Sequence, residues 1–364
     1  MNCNICDSST KNIFQNNVNI SISSDSQIIE ENLNIYKCDK CGHFQKKATK
    51  YLDNIYNKYK NNDLIDGMDQ IKFTGEVPSF RTDIILHELI PYIKNKKNIL
   101  DIGTGTGVFL KSCEKLTNLE LNAFDLNERN KEKVLNINNV KAFYSDSIEN
   151  INNQFDIISL IHVLEHVEKP KDFFERLKLK LNKDGIIIIQ VPYILENPND
   201  LLIIDHLSHF KKSTLQKLLK IFFSKVLFIN TPIKKELTIV ATNEKNFKEE
   251  RLLEEDIEIN PFYINQLNNY LLSQKEPLFI FGTAPISSYY AAILDQKNKL
   301  AGFLDEDLLK IKKNYLNTEI EHPKNKENIS CFIPLNNDVT EQIKLKYKKI
   351  KFISIKEVLN NEKL

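Results

Sequence analysis

The sequence predicts an α/β protein with a doubly wound parallel sheet, a small metal-binding module before it and a second α/β unit after it. Two close cysteine pairs lie near the start of the 364-residue chain. Short apolar runs alternate with amphipathic stretches over residues 80–243, as strands and helices do in a parallel sheet. A similar alternation resumes near the C-terminus. We therefore predict a zinc-binding module at 1–70, a core at 71–243, a charged, helical linker at 244–260 and a Rossmann-like domain at 261–364.

The middle region has the clearest pattern of elements. Apolar runs bounded by turns predict strands at residues 98–102, 119–124, 140–144, 155–161 and 185–191. Amphipathic stretches predict helices at residues 108–116, 127–136, 171–181 and 213–222. Two more apolar runs, at 225–230 and 236–241, flank the sequence TPIKK and predict a hairpin. The sheet would therefore end in antiparallel strands.

Charge and composition exclude several classes of protein. The formal net charge is +1, so no basic excess indicates a nucleic-acid partner. The longest apolar runs, such as 186–189 and 201–204, are far shorter than the ~20 residues of a membrane helix. The opening MNCNICDSST lacks the basic start and apolar core of a signal peptide. We expect a cytoplasmic protein without a membrane or nucleic-acid partner, and the sequence leaves its oligomeric state open.

The two cysteine pairs have the spacing of a metal site. Cys3 and Cys6 form one C-x-x-C pair, and Cys38 and Cys41 form the other. Four thiolates close a tetrahedral structural zinc site with no open position for catalysis. Two disulfides or four unrelated thiols are the alternatives, but cytosolic cysteine pairs are more often metal ligands. His43 follows the second pair, and we expect it to be a surface or packing residue rather than a metal ligand.

A glycine-rich turn follows the first predicted strand of the core. In DIGTGTG, Asp101 ends the strand, and Gly103, Gly105 and Gly107 lead into a helix. Glycines let the backbone turn sharply and approach a ligand without a Cβ atom in the way. The spacing is G-x-G-x-G rather than the G-x-G-x-x-G of a dinucleotide loop. An acid two residues before the first glycine suits a cationic, amino-acid-bearing ligand better than a diphosphate.

Two more acids follow the next two predicted strands. Asp125 lies 22 residues after Gly103, where an acid can accept from both hydroxyls of a ribose. Asp146 follows the third strand and could accept from an adenine amino group. Each acid could instead be an N-cap of the following helix. Their shared register with the strands favours the ligand interpretation.

These motifs together resemble the class I methyltransferases. The resemblance rests on DIGTGTG, AFD, SDS, FDIISLIHVLEHVEKP and KLNKDGIIIIQVP, and it covers about residues 80–243. It implies that S-adenosylmethionine is the cofactor. Asp101 and the three loop glycines would surround its methionine part, Asp125 would hold the ribose and Asp146 the adenine.

Candidate bases lie in the segment after the fifth strand, PYILENPNDLLIIDHLSHFKKSTL. His206 and His209 are in it, and Asp205 precedes the first. A loop histidine has a suitable intrinsic pKa for removing a proton from an acceptor. Asp205 and His206 could instead brace the loop. Either way, ligands of an open α/β sheet bind beyond the carboxyl ends of the strands, where this segment begins.

A second polar cluster lies in HVLEHV. His162, Glu165 and His166 would share one face of a helix and could hold a divalent metal ion. Ubiquinone-type O-methyltransferases carry a similar acidic version. The sequence LEHV is nevertheless common in methyltransferases that bind no metal. We expect it to pack against the cofactor loop or to start a helix.

The C-terminal region reads as a small Rossmann-like unit. PLFIFGTAPISSYYAAIL and KLAGFLDED predict strand, helix and strand, and further strands flank a helix at 339–347. Its turn, GTAPIS, lacks a dinucleotide fingerprint. A docking or dimerisation domain and a wall of the acceptor pocket are both open interpretations.

The order of cysteine module, class I core and Rossmann-like unit resembles the nucleotide-sugar C-methyltransferases. This resemblance implies a nucleotide-linked keto-sugar as acceptor, His206 as general base and Asp205 as its partner. Ile203 stands where that family often has tyrosine, and the core is preceded by IKFTGEVPSF rather than a tyrosine-rich run. An O- or N-methyltransferase acting on a surface-glycan sugar precursor is therefore the alternative. A non-catalytic zinc-binding scaffold is a third hypothesis, which the intact glycine loop argues against.

Overall fold

A computed structural model of the protein describes residues 1–59, 69–73, 78–116, 118–247, 249, 255, 257–335 and 337–359. Its largest sheets have seven, six and four strands within these residues. No helix in this part of the chain is long and apolar enough to cross a membrane.

The N-terminal elements are short and lie around the cysteine pairs. They are β1 (Thr10–Gln15), β2 (Ser21–Ile22), β3 (Ile28–Ile29), β4 (Asn34–Cys38), β5 (Phe44–Gln45) and α1 (Leu52–Asn57). Antiparallel β1, β4 and β5 form most of one small sheet, and β2 pairs with β3. The stretch IKFTGEVPSF before the core contains the paired strands β6 (Ile71–Phe73) and β7 (Pro78–Phe80). Its residues 74–77 lie outside the described residues.

The core begins with α2 (Arg81–Ile93) and continues as strands alternating with short helices. The parallel strands and the helices between them are β8 (Asn98–Ile102), α3 (Val108–Cys113), β9 (Glu120–Phe124), α4 (Lys131–Leu135), β10 (Val140–Tyr144), β11 (Phe155–Ile161), α5 (Pro170–Lys178) and β12 (Leu181–Pro192). The later elements are β13 (Ser208–His209), α6 (Lys212–Leu219), β14 (Lys225–Ile229) and β15 (Glu236–Thr242).

The central sheet confirms the predicted doubly wound topology. Its order is β10-β9-β8-β11-β12-β15-β14, with the first five strands parallel and the last two antiparallel. Strands covered on both faces read as continuous apolar runs, and Ile186–Ile189 is such a run. The predicted helix at 127–136 is split, because a 3₁₀ turn at Glu128–Asn130 precedes α4.

The segment after β12 joins the N-terminal sheet instead of the central one. A 3₁₀ turn at Pro198–Leu202 leads to β13, which pairs antiparallel with β5. Leu202 and Ile203 are buried in one core with Ile22 of β2 and with Tyr290 of the C-terminal region. The cysteine module, the segment after β12 and the C-terminal unit therefore pack against one another through shared apolar contacts.

The C-terminal region forms a mainly parallel sheet with the order β18-β19-β17-β16-β20-β21. Its elements are α7 (Tyr263–Leu272), β16 (Leu278–Phe281), α8 (Pro285–Asp295), β17 (Leu300–Leu304), β18 (Asn314–Tyr315), β19 (Thr318–Glu321), β20 (Ser330–Ile333), α9 (Asn337–Lys346), β21 (Lys351–Ser354) and α10 (Ile355–Val358). This arrangement is the Rossmann-like unit that the sequence predicts. In the linker, residues 248, 250–254 and 256 lie outside the described residues, and the remaining residues show no helix.

Candidate functional site

A large cavity opens at the carboxyl ends of the central strands. Its volume is about 1680 Å³. Gly103 and Gly105 of the glycine loop, the acids after β9 and β10, and His206 line it, whereas Gly107 does not. Ser24 of the N-terminal region and Tyr315 of the C-terminal unit line other parts of the wall. This position matches the place where open α/β sheets bind ligands.

Glycine is required in the loop for both conformation and space. Gly103, Gly105 and Gly107 have φ values of 70°, 55° and 79°, in the left-handed region that side chains disfavour. A Cβ atom added to Gly103 would lie 2.5 Å from Cγ2 of Val163. Val163 belongs to HVLEHV, so the expected packing of this segment against the cofactor loop is what the structure shows.

Asp101 lies buried at the end of β8. Its Oδ1 accepts a hydrogen bond of 2.6 Å from Oγ of Ser159 on the neighbouring strand β11. Burial raises the pKa of the Asp101 carboxyl to about 7, although the Ser159 hydroxyl works in the opposite direction. A cationic ligand group beside it would favour the ionised form.

Asp125 is fixed by backbone amides of the turn it faces. Its Oδ2 accepts from the amide of Gly105 at 2.8 Å, and its Oδ1 accepts from the amide of Asn127 at 2.9 Å. Asn127 is itself the N-cap of the following 3₁₀ turn, because its side chain accepts from the amide of Arg129. The capping interpretation is therefore wrong for Asp125, which lines the cavity instead.

Asp146 lines the cavity from an exposed, left-handed position, with φ of 69°. The N-cap of the next 3₁₀ turn is Ser147, whose side chain accepts from the amide of Glu149. The capping interpretation is therefore wrong for Asp146 as well. Both acids lie on the cavity wall together with the glycine loop.

His206 is paired with Asp200. Its Nδ1 donates to Oδ1 of Asp200 at 2.7 Å, and Nδ1 of His209 donates to the other oxygen, Oδ2, at 2.6 Å. Burial alone would raise the pKa of Asp200, but the two imidazoles hold it well below its usual range. Since Nδ1 of His206 is engaged, Nε2 is the ring nitrogen left for a ligand in the cavity.

Asp205 has a different place from the predicted one. Its carboxylate accepts from the amide and the hydroxyl of Ser24, at 2.8 and 2.6 Å, and lies 3.4 Å from Nδ1 of His166. The prediction that Asp205 orients His206 is therefore wrong, because the Asp205 side chain is directed to Ser24 and His166. The His166 ring does meet the His206 ring edge-on, with centroids 4.7 Å apart.

HVLEHV forms only a short 3₁₀ turn, Leu164–His166, so its polar residues do not share one helix face. Nδ1 of His162 contacts Oε1 of Glu165 at 2.9 Å, and Nε2 of His162 lies 3.5 Å from Glu236. Arg81 donates to the Glu236 carboxylate at 2.9–3.0 Å. Burial and the nearby Arg81 charge lower the pKa of His162. The carboxylates of Glu236 and Glu165 outweigh both effects and raise this pKa to about 9.

The four cysteine sulfurs converge on one point. The Sγ atoms of Cys3 and Cys41 are 3.5 Å apart, as are those of Cys6 and Cys38, and all four lie within 4.8 Å of one another. All are free thiols, so the disulfide alternative is not what the structure shows. Zinc–sulfur bonds of about 2.3 Å in a tetrahedron separate the sulfurs by about 3.8 Å, so the four thiols fit one ion. His43 is buried nearby against Phe210.

Several residues of the site were missed by the sequence analysis. Asp200 lies six positions before His206 and nine before His209, and this local pattern of one acid and two histidines could have revealed it. Lys46, Arg81 and Glu236 come from distant parts of the chain. Lys46 is buried, and burial lowers its pKa to about 7, although Asp200 and Asp205 counteract part of this effect. No local signal marks these three residues.

Comparisons with known proteins agree on the middle of the chain. Residues 79–222 match the family described as "Methyltransferase domain". The mitochondrial ubiquinone biosynthesis O-methyltransferase of Schizosaccharomyces pombe is 30% identical over 101 residues, which are 26% of this chain and 37% of that protein. A protein described as an N5-glutamine methyltransferase of Methanocaldococcus jannaschii is 29% identical over 148 residues, 37% of this chain and 71% of that protein.

Among solved structures, a protein described as an O-methyltransferase, from Nostoc punctiforme, aligns with a TM-score of 0.38 and 18% identity, over 44% of this chain and 55% of that chain. The chain thus spans about a third of the Schizosaccharomyces relative and about half of this structure. The family match and the central sheet, with the glycine loop after β8, identify residues 79–222 as a class I, S-adenosylmethionine-dependent methyltransferase domain. The N-terminal and C-terminal parts lie outside that match.

Proposed function

We propose that the protein transfers the methyl group of S-adenosylmethionine to carbon of a nucleotide-linked keto-sugar, with His206 as general base. The observation that supports this most is the Asp200–His206 pair, which lines the same cavity as the glycine loop. An acid on Nδ1 fixes the ring and stabilises the imidazolium that forms when Nε2 takes a proton. Asp200 would thus have the role that the resemblance implies for Asp205.

The cofactor residues would act from the opposite side of the cavity. Asp101 and the loop glycines would hold the methionine part, Asp125 the ribose and Asp146 the adenine. When bound, S-adenosylmethionine supplies an electrophilic methyl group on a sulfonium. The protein then has to hold the acceptor in line and remove its proton.

The proton balance assigns a clear task to His206. A carbon next to a ketone is acidic enough for an imidazole in a buried site to deprotonate it. Nε2 of His206 would take that proton, and the electron pair of the broken C–H bond would form the new bond to the methyl carbon. The carbon–sulfur bond would break at the same time, with its electron pair kept by the sulfur of the departing S-adenosylhomocysteine. Asp200 keeps its charge throughout and pairs with the imidazolium.

The cavity has room for an acceptor besides the cofactor. A volume of about 1680 Å³ is larger than a single cofactor needs. Thr283, Lys310 and Tyr315 of the C-terminal unit line it together with the cofactor residues. We infer that this wall contacts the nucleotide part of the acceptor, while the sugar lies near His206.

The cysteine cluster is proposed to bind one structural zinc ion. Cys3, Cys6, Cys38 and Cys41 supply four thiols at suitable separations, and no ligand position would be left for a substrate. Zinc would therefore have a structural role and would not bind the substrate. Metal analysis of the purified protein tests this, with one equivalent expected in wild type and none in Cys38→Ser.

The acceptor atom is tested with radiolabelled cofactor and a panel of nucleotide sugars, in keto and non-keto forms. Transfer to the keto members only supports carbon as acceptor. Transfer to non-keto hydroxyl- or amino-sugars only would overturn it in favour of the O- or N-methyltransferase, since the same His206 could deprotonate a hydroxyl. Calorimetry with S-adenosylhomocysteine and Asp125→Ala tests the cofactor site separately, and undiminished affinity in that variant would contradict it.

A further inference from the structure

Strand β5 links the second cysteine pair to the segment that carries His206. The amide of Cys38 donates to the carbonyl oxygen of His43 at 2.9 Å, which closes the turn between the pair and β5. β5 then pairs antiparallel with β13. One residue further on, the amide of Lys46 donates to the carbonyl oxygen of Leu207 at 2.9 Å. The chain leaving the cysteines therefore lies directly beside the His206 segment.

The first cysteine pair contacts the same two strands. The amide of Asn4, between Cys3 and Cys6, donates to Oε1 of Gln45 at 2.8 Å. Nδ2 of Asn4 donates to Oγ of Ser208 on β13 at 3.5 Å. Both cysteine pairs are thus fixed to the β5–β13 pair by hydrogen bonds.

The Lys46 side chain reaches past these strands to the turn before His206. Its Nζ donates to the carbonyl oxygen of Ile203 at 2.5 Å and to that of His206 at 3.4 Å. The residue is only 4% exposed, so removing its ammonium would leave these carbonyl oxygens buried without this donor. The same turn is closed by the amide of His206, which donates to the carbonyl oxygen of Ile203 at 3.2 Å.

We propose that Lys46, held by the four-cysteine cluster through β5, is a positioning residue for His206. Asp200 fixes the His206 ring, whereas Lys46 fixes its backbone by contacting its carbonyl oxygen. Together they restrain the imidazole from both ends. The inference rests on the proposed role of His206 as base, and it gives the cysteine module a task in the reaction besides folding.

Lys46→Met tests the contact, because methionine keeps an apolar chain of similar length and removes the ammonium. We expect kcat to fall about 100-fold, as for a displaced catalytic group. KM and the dissociation constant for S-adenosylmethionine should stay within about twofold. Lys96→Met is the control, because Nζ of Lys96 also donates to a backbone carbonyl oxygen, that of Asp184, at 2.8 Å. Lys96 does not line the cavity.

Nitrogen-15 spectra of the histidine rings give a readout that a loss of stability alone would not change. In folded Lys46→Met, the His206 signals should shift from those of wild type, while Lys96→Met should retain wild-type signals. Wild-type kcat together with unshifted His206 signals in Lys46→Met would overturn the inference.

Hydrogen exchange on the full wild-type chain covers the case in which Lys46→Met does not fold. Removing zinc with a chelator should increase amide exchange in residues 203–209 and leave residues 98–107 protected. Unchanged exchange in 203–209 would refute a link from the cluster to His206. If instead His206→Ala keeps full activity, the proposed base is wrong, and if the protein purifies without zinc, the proposed metal is wrong. These failures are therefore distinguishable from failure of the Lys46 contact.

Discussion

The two sides of the cavity are built in different ways. The cofactor side comes from consecutive strands of one sheet, because Asp101, Asp125 and Asp146 follow β8, β9 and β10 in chain order. The His206 side brings together Ser24, Lys46, His166 and Asp200, which lie far apart in the sequence or on different elements. One side is therefore fixed by strand register, and the other by tertiary contacts with the cysteine module.

This difference separates binding from chemistry. Changes at Lys46 and Asp200 should reduce turnover without affecting the cofactor, since the hydrogen bonds of both side chains are to the His206 segment and not to the glycine loop. Changes on the cofactor side should reduce affinity first.

The largest effect is expected for Asp200→Asn. An amide cannot hold Nδ1 of His206 as a donor and stabilise the imidazolium as the carboxylate does, so kcat should fall about 1000-fold or more. The affinity for S-adenosylhomocysteine, measured by calorimetry, should be unchanged. Asp205→Asn is the comparison, because its carboxylate contacts Ser24 and His166 and only indirectly affects His206. A larger loss of kcat in Asp205→Asn than in Asp200→Asn would restore Asp205 as the partner of His206.

The next effect concerns the glycine loop. Gly103→Ala puts a Cβ atom 2.5 Å from Cγ2 of Val163 at a φ of 70°, so we expect a loss of about 2–4 kcal/mol in the free energy of unfolding and at least tenfold weaker cofactor binding. Gly42→Ala is the matched control, because its φ is also 70° but nothing lies within 4 Å of the added atom.

The control should lose only the cost of the left-handed backbone, about 1–2 kcal/mol. Chemical denaturation of both variants measures the difference. In the double variant Gly103→Ala, Val163→Ala the contact is removed, so part of the loss should be recovered. Equal losses in the two single variants would show that backbone strain, not the contact with Val163, requires glycine at position 103.

The same division explains how far sequence reasoning reaches. Asp101, Asp125 and Asp146 lie on one cavity wall because each follows a strand of a parallel sheet, and parallel strands end at one edge. The four cysteines were also correctly brought together, since two close pairs can surround a single point. Both inferences need only local spacing and a known topology.

The His206 side could not be derived in that way. Nothing in the sequence near Asp205 indicates that Ser24 will occupy its carboxylate, because β13 leaves the core and pairs with β5. The resemblance implies Asp205 as the partner of His206, whereas the turn at Pro198–Leu202 presents Asp200 instead. Lys46 was missed because its contacts are with backbone carbonyls, which carry no sequence signal.

The smallest predicted effect is a pH dependence of cofactor binding. Burial raises the pKa of Asp101 to about 7, so its carboxyl is ionised above that pH and neutral below it. Under the proposed function the ionised form pairs with the ammonium group of the cofactor. Affinity should therefore be full well above pH 7 and fall as the pH drops through 7, by at most about tenfold per unit. Calorimetry of S-adenosylhomocysteine binding between pH 6 and 8.5 measures this.

Asp101→Asn, which cannot ionise, should bind more weakly than wild type at pH 8.5 and show no such slope. A slope that persists in Asp101→Asn would assign the titration to another group and remove Asp101 from contact with the ammonium.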